Sequence, residues 1–243
     1  MYFDFLKVVF IILNLAQFCS PSLSNMLHSI VHQEKDLGKG EYVFQEGDQA
    51  DFLFTIQSGK VQIGKVTPDG REITFRICKP GDFICEVSLF SDPAPFTVYA
   101  KMLEDGIIHT ISKDNIEEQL ILQPHFSIEM LKLMNIQNQQ NQSKFRDLVL
   151  HGKKGALYST LIRLTNSYGV EREDGILIDL PLTNQELANF CGMTREVVNR
   201  QLNELKKENK LTIANGHIVI YDLPFFKQEI HCENCPIEIC NIF

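Results

Sequence analysis

The sequence lacks a surplus of positive charge. Its 243 residues carry 23 Lys and Arg against 31 Asp and Glu, a formal net charge of −8. At whole-chain level that argues against a polyanionic partner such as nucleic acid. It lacks an apolar run long enough to span a bilayer, since Val8–Ala16 counts nine residues and is interrupted by Asn14. A basic signal-peptide start is missing too: Asp4 opposes Lys7, and Phe18 directly before Cys19 disfavours a lipoprotein cut. The expectation is an N-terminal helix or an alternative start at Met26, in a cytoplasmic protein with no membrane partner. No phosphate loop or nucleophile–base constellation is present, and lone histidines such as His125 and His151 read as structural, which argues against an enzyme. An odd total of seven cysteines cannot all pair, and three fall in the last dozen residues, as in a metal site rather than a disulfide framework. With 44% hydrophobic and 22% charged residues, the chain is neither disordered nor fibrous.

What is present begins with short apolar alternations broken by glycine between Gly40 and Ala100. Strands are expected at Tyr42-Val43-Phe44, Phe52–Ile56, Lys60–Val66 and Glu72–Ile77, the last two joined as a hairpin by Pro68-Asp69-Gly70. Pro80-Gly81-Asp82 makes a further turn before Phe83 and Ile84. Such closely spaced strands predict a double-sheet barrel or jelly roll. Pro124 then opens a glycine-free stretch from His125 to about Leu150. There Ile128, Leu131, Asn135, Asn138, Gln142, Phe145 and Val149 recur at helical spacing as a seam with a polar middle.

Further on, Thr183-Asn184-Gln185-Glu186 reads as a capping box and Gly192 as a left-handed helix end. Thr194 is placed to cap a second helix after a short turn, the spacing of a helix-turn-helix. Val198, Leu202 and Leu205 share its inner face, leaving Arg195, Glu196, Asn199 and Arg200 outward near the end that enters a major groove. Arg suits guanine O6/N7 and Glu accepts from cytosine N4. Leu211–Ile213 and His217–Ile220 flank Asn215-Gly216 as the wing. The net charge conceals this region, because residues 144–227 carry 12 basic and 10 acidic side chains.

Glu46-Gly47-Asp48, Ile56–Gly59, Pro68–Gly70 and Pro80-Gly81-Asp82 before Glu86 resemble the cyclic-nucleotide-binding domain of the Crp/Fnr regulators. The resemblance implies an α+β chain: an N-terminal segment and cyclic-nucleotide-binding-like β-roll over 1–123, and a dimerisation helix over 124–150. A winged helix-turn-helix domain over 151–227 and a cysteine tail over 228–243 complete it. Nucleotide-binding members hold the ribose and phosphate with a Gly-Glu pair and a later Arg. Here Cys85 replaces the glycine and Phe96–Ala100 contains no arginine. A buried phosphate without its cation is costly, so no cyclic nucleotide is expected and Glu86 reads as a loop carboxylate. Thr194–Arg200 is similar to the family's recognition helix and implies double-stranded DNA with TGTGA-like palindromic half-sites, RNA polymerase as partner, and a homodimer. Asn199 departs from the serine of the proteobacterial branch.

Cys232, Cys235 and Cys240 are spaced x2 and x4, so their thiolates can converge on one soft centre. Zinc, with His231 as a fourth ligand, and iron–sulfur both fit that spacing. The tail, Ser143–Leu148 and His151–Ser159 resemble the Bacillus-type Fnr branch of the family. That resemblance implies one 4Fe–4S cluster per subunit on the three cysteines, with Asp147 as the fourth ligand, in an oxygen-responsive regulator. By position alone Asp147 is a helix-end carboxylate that pairs with Arg146 or solvent, and Cys191 suits packing. The other reading is a zinc-stabilised or ligand-gated regulator with no redox role.

Overall fold

Side chains on a strand alternate between its two faces, and the first half of the chain turns that alternation into sheets. A computed structural model describes residues 21–92 and 94–243, so the apolar run 8–16 lies outside the described residues. Helix α1 (Pro21–Ser29) leads into β1 (Gln33–Leu37), β2 (Tyr42–Phe44), β3 (Phe52–Ile56), β4 (Val61–Val66), β5 (Glu72–Cys78), β6 (Phe83–Ile84), β7 (Tyr99–Met102) and β8 (Gly106–Ser112). One antiparallel sheet runs β1-β8-β3-β6, and its Leu53, Ile56, Ile84, Ile108 and Ile111 are fully buried. β2 pairs with β7, and β4 with β5. Phe44 stacks on Phe96 with ring centroids 3.8 Å apart, a large apolar contribution to the interior. This is the expected antiparallel jelly-roll-like domain. The polar strand β1, Gln-Glu-Lys-Asp-Leu, is unexpected; it is held by its ladder to β8 rather than by an apolar face.

Helix α2 (Lys113–Leu122) is capped by Ser112, whose hydroxyl accepts from the Asn115 amide at 3.3 Å. Helix α3 (Pro124–Tyr168) consists of two helical runs joined at Gly152, with φ 58° and ψ −152°, so the first run ends close to the expected Leu150 and a second, unexpected run follows. A side chain is strained in that conformation, and glycine is not. The buried face of α3 changes character along its length, from Phe126, Met130 and Leu133 to Gln140, Ser143 and Asp147. The seam residues Ile128, Leu131, Phe145 and Val149 are exposed in the single chain, as are Leu148 and Leu150.

After α3 come β9 (Gly169–Arg172), β10 (Gly175–Ile178), α4 (Asn184–Cys191), α5 (Arg195–Lys207), β11 (Leu211–Ala214), β12 (His217–Ile220) and α6 (Leu223–Glu229). Their sheet runs β11-β12-β10-β9, with Asn215 and Gly216 both at positive φ in the wing turn. Leu187, Val198, Leu202, Leu205, Leu211, Ile218 and Phe226 form the core beneath it. Asp222 caps α6, its carboxylate accepting from the Phe225 amide at 3.0 Å. The chain forms two compact units: residues up to Val61 with Cys78–Leu133, and Gln62–Ile77 with Met134–Phe243. Among the described residues, no helix is long and apolar enough to cross a membrane.

Candidate functional site

Two constellations belong to the second unit. The first is the outer face of α5. Its predecessor α4 begins with a complete capping box: Thr183 Oγ accepts from the Glu186 amide at 3.1 Å, and Glu186 Oε2 accepts from the Thr183 amide at 2.7 Å. It ends at Gly192 in the left-handed conformation, φ 61° and ψ 32°. Val198, Leu202 and Leu205 are buried as expected, and Arg195, Glu196, Asn199 and Arg200 project from the opposite face, exposed. Asn199 Oδ1 accepts from Asn184 Nδ2 at 3.0 Å, which ties the two helices together at the exposed end. One detail is corrected. Thr194 occupies the N-cap position of α5, but its hydroxyl makes no capping bond. Its side chain hydrogen-bonds the Glu196 carboxylate instead, two residues on. That carboxyl lies below its ordinary value, first through its own backbone hydrogen bond and then through Thr194.

The second constellation joins the cysteine tail to α3. Asp147 is 5% exposed, on the last turn before the Gly152 break. Its Oδ2 accepts from Ser159 Oγ at 2.5 Å and from Arg163 at 2.8 Å, and its Oδ1 accepts from Arg146 at 2.9 Å. Burial pushes the carboxyl up, but hydrogen bonds from Ser159, Arg163 and Arg146 outweigh it and hold the group below its ordinary value. Arg146 also donates to Glu233 of the tail and stands 4.0 Å from Cys235 Sγ. Burial raises the Cys240 thiol; Arg163 opposes this, while Cys232, Cys235 and Asp147 add to it. All four residues singled out in the sequence therefore share one electrostatic neighbourhood.

Three thiols and a carboxylate beside two guanidinium groups form a donor set that suits an anionic, thiolate-bound iron–sulfur centre. Among the described residues, no three His, Cys, Asp or Glu side chains already converge as a metal-binding group. Cys191 stands apart: it is buried beside Thr160 and the Ala156 carbonyl, and burial pushes its thiol up to about 12. His231 lies next to His151, with ring centroids 6.2 Å apart.

Sequence reasoning missed the polar residues that receive the tail, Gln140, Arg163 and Asn166, and the serines Ser143 and Ser159 that hydrogen-bond Arg163 beside them. Their signal is spacing, because 140, 143 and 147, like 159, 163 and 166, recur at three and four on one helix face. Also missed was Asn189 on α4, buried, which donates to Glu72 Oε2 of β5 at 3.2 Å.

Comparison with known proteins places these features in context. Residues 34–121 match the cyclic nucleotide-binding domain family and residues 155–228 the Crp-like helix-turn-helix domain family. The chain is 49% identical to an anaerobic regulatory protein of Bacillus subtilis, over 92% of this chain and 94% of that one. It is 28% identical to a CRP-like cAMP-activated global transcriptional regulator of Mycobacterium tuberculosis, over 78% of this chain and 84% of the relative. A CooA mutant from Carboxydothermus hydrogenoformans shares the fold with a TM-score of 0.70, at 22% identity over 82% of this chain and 87% of that one.

Proposed function

Because the chain belongs to the Crp/Fnr family of transcription regulators, and is therefore not an enzyme, we propose that it is an oxygen-sensing member acting in the cytoplasm. In this reading a homodimer carrying one 4Fe–4S cluster per subunit binds palindromic DNA with TGTGA-like half-sites and engages RNA polymerase in anaerobic gene control. Cys232, Cys235 and Cys240 would hold the cluster, with Asp147 as the non-cysteine ligand. When bound, such a centre supplies an oxygen-labile joint.

The observation that carries the proposal is where the donors stand. Asp147 lies before the Gly152 break in α3, the cysteines follow α6, and the tail lies back against α3 through hydrogen bonds. Whatever fastens the cysteines to Asp147 also fastens the end of the DNA-binding domain to the helix that precedes it. Arg146 and Arg163 offset negative charge there, and Arg195, Glu196, Asn199 and Arg200, with Thr183 and Thr194 beside them, face the DNA. The exposed stripe Ile128, Leu131, Phe145 and Val149 supports dimerisation along α3. The absence of arginine from Phe96–Ala100, together with Cys85 before Glu86, supports a domain that no longer answers to a cyclic nucleotide.

Anaerobic purification followed by a visible spectrum and iron and sulfide analysis tests the cofactor, and DNA affinity before and after oxygen exposure tests the switch. Loss of tight binding on oxidation is expected. Equal affinities would overturn the switch, and a colourless protein with one zinc per chain would replace it by the zinc-stabilised reading.

A further inference from the structure

Three successive backbone carbonyls of the tail are each received by a different side chain of α3. Gln140 Nε2 donates to the Glu238 carbonyl at 2.8 Å, Arg163 to the Ile239 carbonyl at 3.1 Å, and Asn166 Nδ2 to the Cys240 carbonyl at 2.6 Å. Arg163 is at the centre. Its side chain is 3% exposed, and the same guanidinium donates to Ser143 Oγ at 2.8 Å, Asp147 Oδ2 at 2.8 Å and Ser159 Oγ at 3.2 Å. One planar group thus spans both arms of the broken helix and the tail. Lysine, with three donors on a single atom, cannot reproduce that fork.

We propose that Gln140, Arg163 and Asn166 form a seat that docks the cysteine tail on α3 before any cluster is present, with Arg163 coupling the seat to Asp147. These are positioning residues: they hydrogen-bond the main chain of the tail, with Gln140 also reaching Asn241 Oδ1 at 3.3 Å, and none of them hydrogen-bonds a thiol. Arg163 is buried, and a buried guanidinium left with an unmet donor is costly, so the seated state is favoured by the protein's own groups. Four of the five donors on Arg163 are used, and its charge is met by Asp147. The consequence for assembly rests on the reading of Cys232, Cys235 and Cys240 as ligands, because a seated tail holds them beside Asp147 in advance.

Amide hydrogen exchange on the full-length, cluster-free protein tests the seat directly. Amides of residues 238–242 are expected to exchange at least ~10-fold faster in Arg163→Lys than in the wild type, as for a segment that opens locally, while amides of α5 stay unchanged. Reconstitution with ferrous iron and sulfide under argon should slow in parallel. Cys240→Ser is expected to keep the tail protected while failing to build the cluster. Tail protection in Arg163→Lys equal to wild type would overturn the seat. Should Arg163→Lys lose its cooperative melt, Asn166→Ala decides: faster exchange in the tail supports the seat, and unchanged exchange overturns it. A wild type that takes up no cluster, combined with fast-exchanging variants, would overturn the iron–sulfur reading and leave the seat standing.

Discussion

Cys191 and Cys235 are chemically the same residue put to different uses by their surroundings. Burial next to Thr160 raises the Cys191 thiol to about 12, so at neutral pH it stays protonated and unreactive. Cys235 is half-buried beside Arg146. Brief alkylation of the folded, cluster-free protein at pH 8 should therefore label Cys232 and Cys235 and spare Cys191, read by peptide mass spectrometry; a labelled Cys191 would contradict its packing role. Arg195 and Arg200 make the second prediction at this scale. Each stands exposed on the outer face of α5, and if that face reads DNA as proposed, replacement by alanine should cost about 1–3 kcal/mol in specific DNA binding, checked by fluorescence anisotropy on a palindrome and a scrambled duplex. An arginine that merely touches phosphate would weaken both duplexes alike.

Elements differ in how openly the sequence declares them. The capping box at Thr183 and Glu186, Gly192 and the wing turn at Asn215-Gly216 are local signals, and each one forms in the fold. Removing the first, Thr183→Ala, should lower stability by ~1 kcal/mol, seen as a lower melting temperature. Strands β2 to β6 were legible for the same reason, since alternation and turn residues act within a few positions. Strand β1 was not, because Gln33–Leu37 has little apolar pattern and depends on a partner more than sixty residues away in sequence. The second arm of α3 was not read from the sequence, because the seam pattern ends near Leu150, where Gly152 does break the helix before a new helical run begins. Gly152→Ala would force a side chain into φ 58°, ψ −152° or straighten the helix. A loss of ~1–3 kcal/mol in thermal unfolding is expected. Thr194 gives the converse case: the sequence places it correctly as an N-cap, but the nearby Glu196 carboxylate engages its side chain.

For the molecule as a whole, the exposed apolar stripe of α3 is the most consequential surface. Ile128, Leu131, Phe145 and Val149 are each about half exposed or more, which is unfavourable for an isolated chain. Leu131→Glu should shift sedimentation toward the monomer and weaken palindrome binding, because two half-sites then no longer act together. A variant that stays dimeric with full affinity would move the interface elsewhere. From residue spacing the candidate metal centre was legible only as three cysteines, and Asp147 entered through the family resemblance. The residues that receive the tail lay in an ordinary amphipathic pattern, since a hydrogen bond to a carbonyl leaves no mark on the side chain whose backbone it uses.

That last property has its own outcome for how this tail can vary. Where the grip is on the main chain, at residues 238–240, the segment is recognised by length and register more than by its letters. Asn241 is also held by its side chain, whose Oδ1 accepts from Gln140 Nε2 at 3.3 Å. Glu238 is exposed, so its side chain can be exchanged with little consequence for docking. A single residue inserted between Cys235 and Cys240 would instead offset every carbonyl from its donor and pull the buried Asn241 and Ile242 out of place. Over residues 238–240 the tail is a ruler, tolerant for docking of exchanges where only its carbonyls are held, and intolerant of insertion.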